Sequence, residues 1–315
     1  MRNRRVLILG VSIALAAWAC SKADDAPQEP ISFAPVTAKS TKAIIEGTTY
    51  PLDVPFVVSA FYNTTYTYFQ DRTATKTSST GWETTPAEYW PLQGSLVFQA
   101  YSPASAGLTL SRSGASTTGY TITTPEQLTT DLCYATTSVD DCNLHPQVVP
   151  LVFSHALSQV VVRVKAAADF STPSNTVSLA LTSLSLNGIN SVADLSANTW
   201  SNQRSEHSYS LLSEVLPLTY NPEGEPVDVC RFVFLPQPLG ANAALTVGCR
   251  IVQNVSGQEY TLDNPPATIS LNKTLDEWQP GKKYIYTLSV GLNNLITFTA
   301  TTVDWADDGG GLVVE

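Results

Sequence analysis

The chain has 315 residues, a formal net charge of −10, 43% hydrophobic side chains and only 14% charged ones. The hydrophobic content excludes wholesale disorder. So acidic a chain excludes a nucleic-acid partner, because it repels a phosphate backbone.

Taken in chain order, the first segment is an address. Arg2, Arg4 and Arg5 form a basic stretch, Val6 to Leu15 a short apolar core, and Ala17-Trp18-Ala19 a small-residue site ahead of Cys20. This predicts a signal peptide over residues 1–19, too short to span a membrane comfortably. Ala17-x-Ala19 suits an ordinary signal peptidase. Small residues directly before Cys20 also form a lipobox, with Ala17 where leucine is usual, and we expect lipidation at Cys20. Residues 20–30 then read as a polar, acidic leash.

From Phe56 onward the pattern is short strands broken by Pro, Gly and Asn. Phe56–Tyr62 is a β-branched and aromatic run, and Leu96, Phe98 and Ala100 alternate with Val97, Gln99 and Tyr101. Val160, Val162 and Val164 share a face. Leu179, Leu181, Leu184 and Leu186 come next and are expected to stop at Asn187-Gly188. Phe232 and Phe234, then Leu245 to Ile251, Tyr284 to Val290 and Ile296 to Ala300 complete the series. Period-two alternation at this spacing predicts an all-β chain of β-sandwiches. Single helical turns are expected at Pro125–Leu128 and at Ser191–Leu195. The polar stretch Asp140–Pro150 is the expected junction, dividing residues 31–145 from 146–315.

Chemistry-bearing motifs are sparse. His145, His155 and His207 lack the spacing of a helical metal pair, and no Cys pair has ligand spacing. His155, between Phe153 and Leu157, reads as a structural histidine. Cys133 and Cys142 are close enough to close a small loop, and Cys230 and Cys249 lie in neighbouring strand candidates. Buried thiols and disulfides both fit them. Asp304-Trp305-Ala306-Asp307-Asp308-Gly309 departs from a calcium-loop spacing and reads as a solvated acidic turn. No nucleophile elbow, Walker loop or dinucleotide motif occurs, so no catalytic set, metal or cofactor is expected. Tyr62, Tyr66, Tyr68, Trp82, Tyr89 and Trp90 crowd the first block. Exposed, they would suit sugar stacking; alternating in strands, they read as core.

Four segments carry a family resemblance. Tyr89-Trp90-Pro91-Leu92 with Leu96–Pro103, then Leu151-Val152-Phe153-Ser154-His155-Ala156-Leu157-Ser158-Gln159-Val160, then Trp278-Gln279-Pro280-Gly281-Lys282-Lys283-Tyr284-Ile285-Tyr286-Thr287-Leu288, and finally Val303-Asp304-Trp305 resemble, in order, the signatures of the fimbrillin-like surface lipoproteins of Bacteroidetes. The acidic residues after Cys20 also resemble their surface-export signal. The resemblance implies two tandem β-sandwich domains of transthyretin-like topology, a lipoprotein of the outer membrane, and a non-enzymatic fimbrial or adhesive subunit. It implies that a protease frees the first strand and that a strand from the next subunit fills the groove. Ile31-Ser32-Phe33 is then the candidate first strand, Lys39 and Lys42 the candidate processing points, and Leu312, Val313 and Val314, behind Gly309–Gly311, the candidate donor strand. Partners would be other fimbrial subunits, the membrane through lipid, and a host protein or glycan as ligand. A non-polymerising glycan-binding lipoprotein is the alternative, and a hydrolase with paired carboxylates ranks third.

Overall fold

In the computed structural model, residues 29–37, 50–64, 66–77, 81–222, 224–292, 296–305 and 312–314 are described. The first strands are β1 (Ser32–Thr37), β2 (Phe56–Tyr62), β3 (Tyr66–Lys76), β4 (Trp82–Thr84) and β5 (Leu96–Ser102). A hairpin, β6 (Thr109–Ser111) and β7 (Gly114–Thr121), leads to the short helix α1 (Pro125–Thr129). β8 (Cys133–Val139) and β9 (Val149–His155) come after it. Helix α1 forms where expected because Thr124 and Gln127 make a reciprocal capping box behind a proline at the first turn.

Among these strands, seven close into a barrel in the order β1-β4-β3-β2-β5-β8-β9. Strict alternation along β9 buries Val149, Leu151, Phe153 and His155 and turns Pro150, Val152 and Ser154 outward. The barrel interior is aromatic: Phe33 meets Phe56 and Phe98 edge-on at 6.0 and 5.6 Å, and Phe56 meets Phe153 at 5.4 Å. Each such ring taken from water contributes roughly 1.5–3 kcal/mol, and quadrupoles favour these edge-to-face contacts.

The remaining chain builds two further sheets over a second core. Its strands are β10 (Ser158–Ala166), β11 (Asn175–Ser196), β12 (Thr199–Ser210), β13 (Leu216–Leu218), β14 (Val227–Phe234), β15 (Gln237–Pro238), β16 (Ala244–Val255) and β17 (Gln258–Asp263). They continue with β18 (Ala267–Ser270), β19 (Glu277–Trp278), β20 (Lys282–Val290), β21 (Ile296–Asp304) and β22 (Leu312–Val314). One sheet runs β14-β10-β20-β21-β22. The other runs β17-β16-β11-β7-β6, with β12 and β13 on β11 and β18 on β16. Val160, Val162, Val164, Tyr284, Tyr286 and Leu288 of the first sheet share one core with Leu181, Leu184, Leu245 and Val247 of the second.

The sheets interlock across the expected 145/146 junction. β9 pairs with β8 and β1 in the barrel, so the chain leaves the first sheet only at His155. The hairpin β6–β7 goes the other way: β7 pairs with β11, and Leu110, Ala115 and Ile122 join the second core. Ala115 N–H donates to Asn198 Oδ1 at 2.8 Å and Gly119 N–H to Asp194 Oδ1 at 2.8 Å, fastening the hairpin. The polar stretch from Asp140 is a β8–β9 connection containing a 3-10 turn, Cys142–Leu144.

Two local expectations are corrected. Ser191–Leu195 is not helical but part of β11, with Ser191, Ala193 and Leu195 buried and Val192 and Asp194 half-buried. Nor does β11 stop at Asn187-Gly188. Gly188 takes φ +65°, and the pairing with β12 shifts register between Leu186 and Ile189, so the strand bulges and continues. A Cβ at Gly188 would lie 2.3 Å from the Asn242 carbonyl oxygen. Gly188→Ala is therefore expected to lower stability by about 1–3 kcal/mol, read as a reduced urea midpoint. Gly240→Ala, where a Cβ meets nothing within 4 Å, should stay within about 0.5 kcal/mol.

Candidate functional site

The N-terminal strand occupies a seam. β1 pairs antiparallel with β4 (Ser32 opposite Glu83, Phe33 opposite Trp82) and parallel with β9, from Phe33 opposite Val149 to Thr37 opposite Phe153. Ile31, Phe33 and Pro35 point inward and are buried. Just ahead, Ile31 N–H donates to the Glu88 carbonyl at 2.8 Å and Trp90 N–H to the Glu29 carbonyl at 3.1 Å. A barrel has no free edge while this strand is in place, and two edges without it. Cys20, Lys39 and Lys42 lie outside the described residues.

At the other chain end, β22 pairs antiparallel with β21: Thr302 opposite Leu312, Thr301 opposite Val313, Ala300 opposite Val314. The candidate donor residues thus stand as the edge strand of their own five-stranded sheet.

Between these ends lies a buried polar cluster. The pairing of β8 with β9 sets Cys133 opposite His155. His155 Nδ1 and Asp131 Oδ2 share a hydrogen bond of 2.6 Å, and the Cys133 thiol donates to the same oxygen at 3.2 Å. The His155 ring stacks on Trp305, with centroids 4.1 Å apart and planes 7° apart. All four residues are buried. Burial first, then the Asp131 charge, pushes the Cys133 thiol well above its ordinary range.

This cluster has the residue types of a metal centre or a nucleophilic set, but the geometry of neither. Two ligands of one tetrahedral zinc stand about 3.3 Å apart, whereas 2.6 Å is a shared-proton distance. In a triad the two imidazole nitrogens face different partners; here Nδ1 faces both Asp131 and Cys133, the latter at 3.6 Å. The sequence pattern missed the cluster because Asp131 stands in no motif, and only strand register brings Cys133 to His155.

The aromatic block divides: its tryptophans are core, while Tyr62 is half-buried and Tyr68 is exposed. Trp82 and Trp90 are buried, and His145 stacks on Trp90 at 4.4 Å, so neither offers a face to a sugar. Tyr66 and Tyr89 remain exposed. A cleft of about 480 Å³ between Trp200, Gln203, Trp278 and Gln279 carries one carboxylate, Glu277, and so lacks the facing pair that glycoside hydrolysis uses. Cys133, Cys142, Cys230 and Cys249 are all free and buried.

Known proteins share this architecture. The fimbrillin-like family model matches residues 41–305. No curated protein matches. A candidate cell adhesion protein from Bacteroides uniformis is 16% identical with a TM-score of 0.51, over 88% of this chain and 98% of that one. One from Bacteroides ovatus is 15% identical with a TM-score of 0.51, over 90% and 99%. The fimbrial anchor protein Mfa2 from Porphyromonas gingivalis is 11% identical with a TM-score of 0.37, over 91% and 100%. At these identities the likeness to the two Bacteroides proteins is one of fold alone.

Burial raises the Cys142 thiol, pushes Cys230 to about 12 and Cys249 to about 11. The thiolate is the reactive form, so at pH 8 a pKa near 11 leaves roughly one thiol in a thousand ionised. In a chain beginning after Cys20, Ellman's reagent at pH 8 is expected to leave all four thiols unlabelled in the native state and to label all four in guanidinium. Rapid labelling of the native protein would contradict this.

Proposed function

The chain belongs to the fimbrillin-like family, and on that premise we propose that it is a structural or adhesive subunit of cell-surface fimbriae that assembles by strand exchange. The observation that carries this reading is the seat of β1: this strand pairs on both sides of a barrel seam and, with the residue before it, fills the interior with Ile31, Phe33 and Pro35. Its departure would leave unpaired N–H and C=O groups along β4 and β9 and an apolar groove between them. An incoming strand satisfies both needs, the backbone groups by pairing and the groove by side chains.

In this reading the two sheet systems are tandem domains of transthyretin-like topology. Export runs through the 1–19 signal peptide, and lipid on Cys20 holds the new subunit at the outer membrane. Cutting at Lys39 or Lys42 releases β1. The residues Leu312–Val314, which pair through backbone groups with β21 in the isolated chain, leave that edge for the groove of the next subunit. Because donor and acceptor are different surfaces, the contact is heterologous and propagates as a filament. The partners are other fimbrial subunits.

The test uses the chain from residue 21, which lacks the lipid-bearing Cys20. After limited trypsin treatment, we expect light scattering to show growing polymers. The Lys39→Ala/Lys42→Ala double variant, and a nicked chain lacking residues 312–315, should stay monomeric. Nicked protein that has lost β1 and stays monomeric at high concentration would sink the strand-exchange mechanism.

A further inference from the structure

The wall of the N-terminal seat and the root of the C-terminal strand touch each other. β9 lines the seat of β1 as far as Phe153. Two residues later, His155 ends the strand, and its ring lies flat on Trp305. Trp305 is the residue immediately after β21, the strand on which β22 rests.

Among the described residues, this ring pair is attached to the body of the protein. Asp131 Oδ2 holds the imidazole at Nδ1. Trp305 N–H donates to the Gly281 carbonyl at 3.0 Å, and Gly281 N–H to the Leu157 carbonyl at 2.9 Å. Ala156 N–H donates to the Leu132 carbonyl at 2.7 Å. One residue before Trp305, Asp304 pairs with Lys282 at the start of β20. The Trp305 indole N–H has no partner among the described residues, so the fold uses the ring and not its donor. A buried tryptophan with an idle N–H forgoes a hydrogen bond; the stack on His155 is the interaction here that its ring supplies.

We propose that Asp131, His155 and Trp305 form a positioning clamp that sets the upstream limit of the moving C-terminal segment. Residues through Trp305 stay fixed to the wall of the N-terminal seat, and strand transfer displaces only the residues beyond it. This rests on the strand-exchange reading. A donor that leaves from a fixed root loses less freedom on docking than one whose supporting strand frays as well. Placing the root against β9 also ties the donor end and the acceptor wall of one subunit into a single rigid unit, so the offset between successive subunits is defined.

Hydrogen exchange by mass spectrometry tests the clamp in the full mature chain, before nicking and in the polymer. In the native sequence, peptides covering Val303–Trp305 should be equally protected in both states. In Trp305→Ala they should exchange about tenfold faster, the upper end of what an aromatic stack supplies, while peptides over β10 and β20 keep native protection. Trp305→Phe, which keeps a ring on the imidazole, should restore protection. If Trp305→Ala does not fold, His155→Asn removes the ring while keeping a donor for Asp131, and the same local loss is expected. Native-like protection in the folded ring-less variant overturns the clamp. So does loss of protection at Val303–Trp305 when the native chain polymerises, or a loss spread evenly over β10 and β20. Absence of polymer is a separate result, which sinks strand exchange while the monomer comparison still decides the clamp.

Discussion

The obligation of backbone N–H and C=O groups to find partners governs this molecule. A barrel is the arrangement that leaves no edge, and here closure depends on one short strand that reaches the seam from outside the continuous hairpin series. β2, β3, β4 and β5 are held by antiparallel neighbours close in sequence, and β8 by β5 and β9. β1 is different. Its long contact is a parallel pairing with β9, more than a hundred residues away. Parallel pairs need a crossover and form late, after loop-closure entropy has been met. The strand that completes the barrel is therefore also the one whose replacement disturbs the fewest local contacts.

Side chains reinforce the same point. Phe33 of β1 touches Phe56 and Phe98, rings on the opposite wall. An empty seat would expose an aromatic groove as well as two unpaired edges. Neither cost alone specifies a strand: any strand pairs with an edge, and many apolar groups enter a groove. Together they select an extended segment with apolar residues at alternate positions, which is the pattern Ile31, Phe33 and Pro35 present.

Much of this is legible in the sequence, and the rest is hidden for identifiable causes. Strands with period-two alternation, Tyr284–Val290 above all, appear at their expected places because alternation reports one buried face directly. Alternation does not report which strand lies alongside. A junction at 145/146 puts Val149–His155 in the second block, yet it pairs in the first; the hairpin at 109–121 makes the opposite crossing. Asn187-Gly188 reads as a turn by residue type, since both tolerate positive φ. Only the register shift in the pairing with β12 reveals a bulge in a continuing strand. The polar cluster is illegible for a related reason. His155 reads as structural from its apolar flanks, but its partners Asp131, Cys133 and Trp305 arrive through register and tertiary packing.

That cluster is an energetically unfavourable way to hold two layers together. Burying Asp131 and His155 costs desolvation that their pairing has to offset, and apolar residues of equal volume commonly stabilise a core better. Two further polar atoms, Asp131 Oδ1 and His155 Nε2, lack partners among the described residues. What directional hydrogen bonds add is a second check on the register that the alternating apolar face of β9 already sets. A slip of β8 against β9 by one residue would turn Cys133 and His155 to opposite faces. It would separate Asp131 from His155. The cluster therefore penalises wrong registers more than it rewards the right one. It does so at the end of the wall against which β1 is seated in a single alignment.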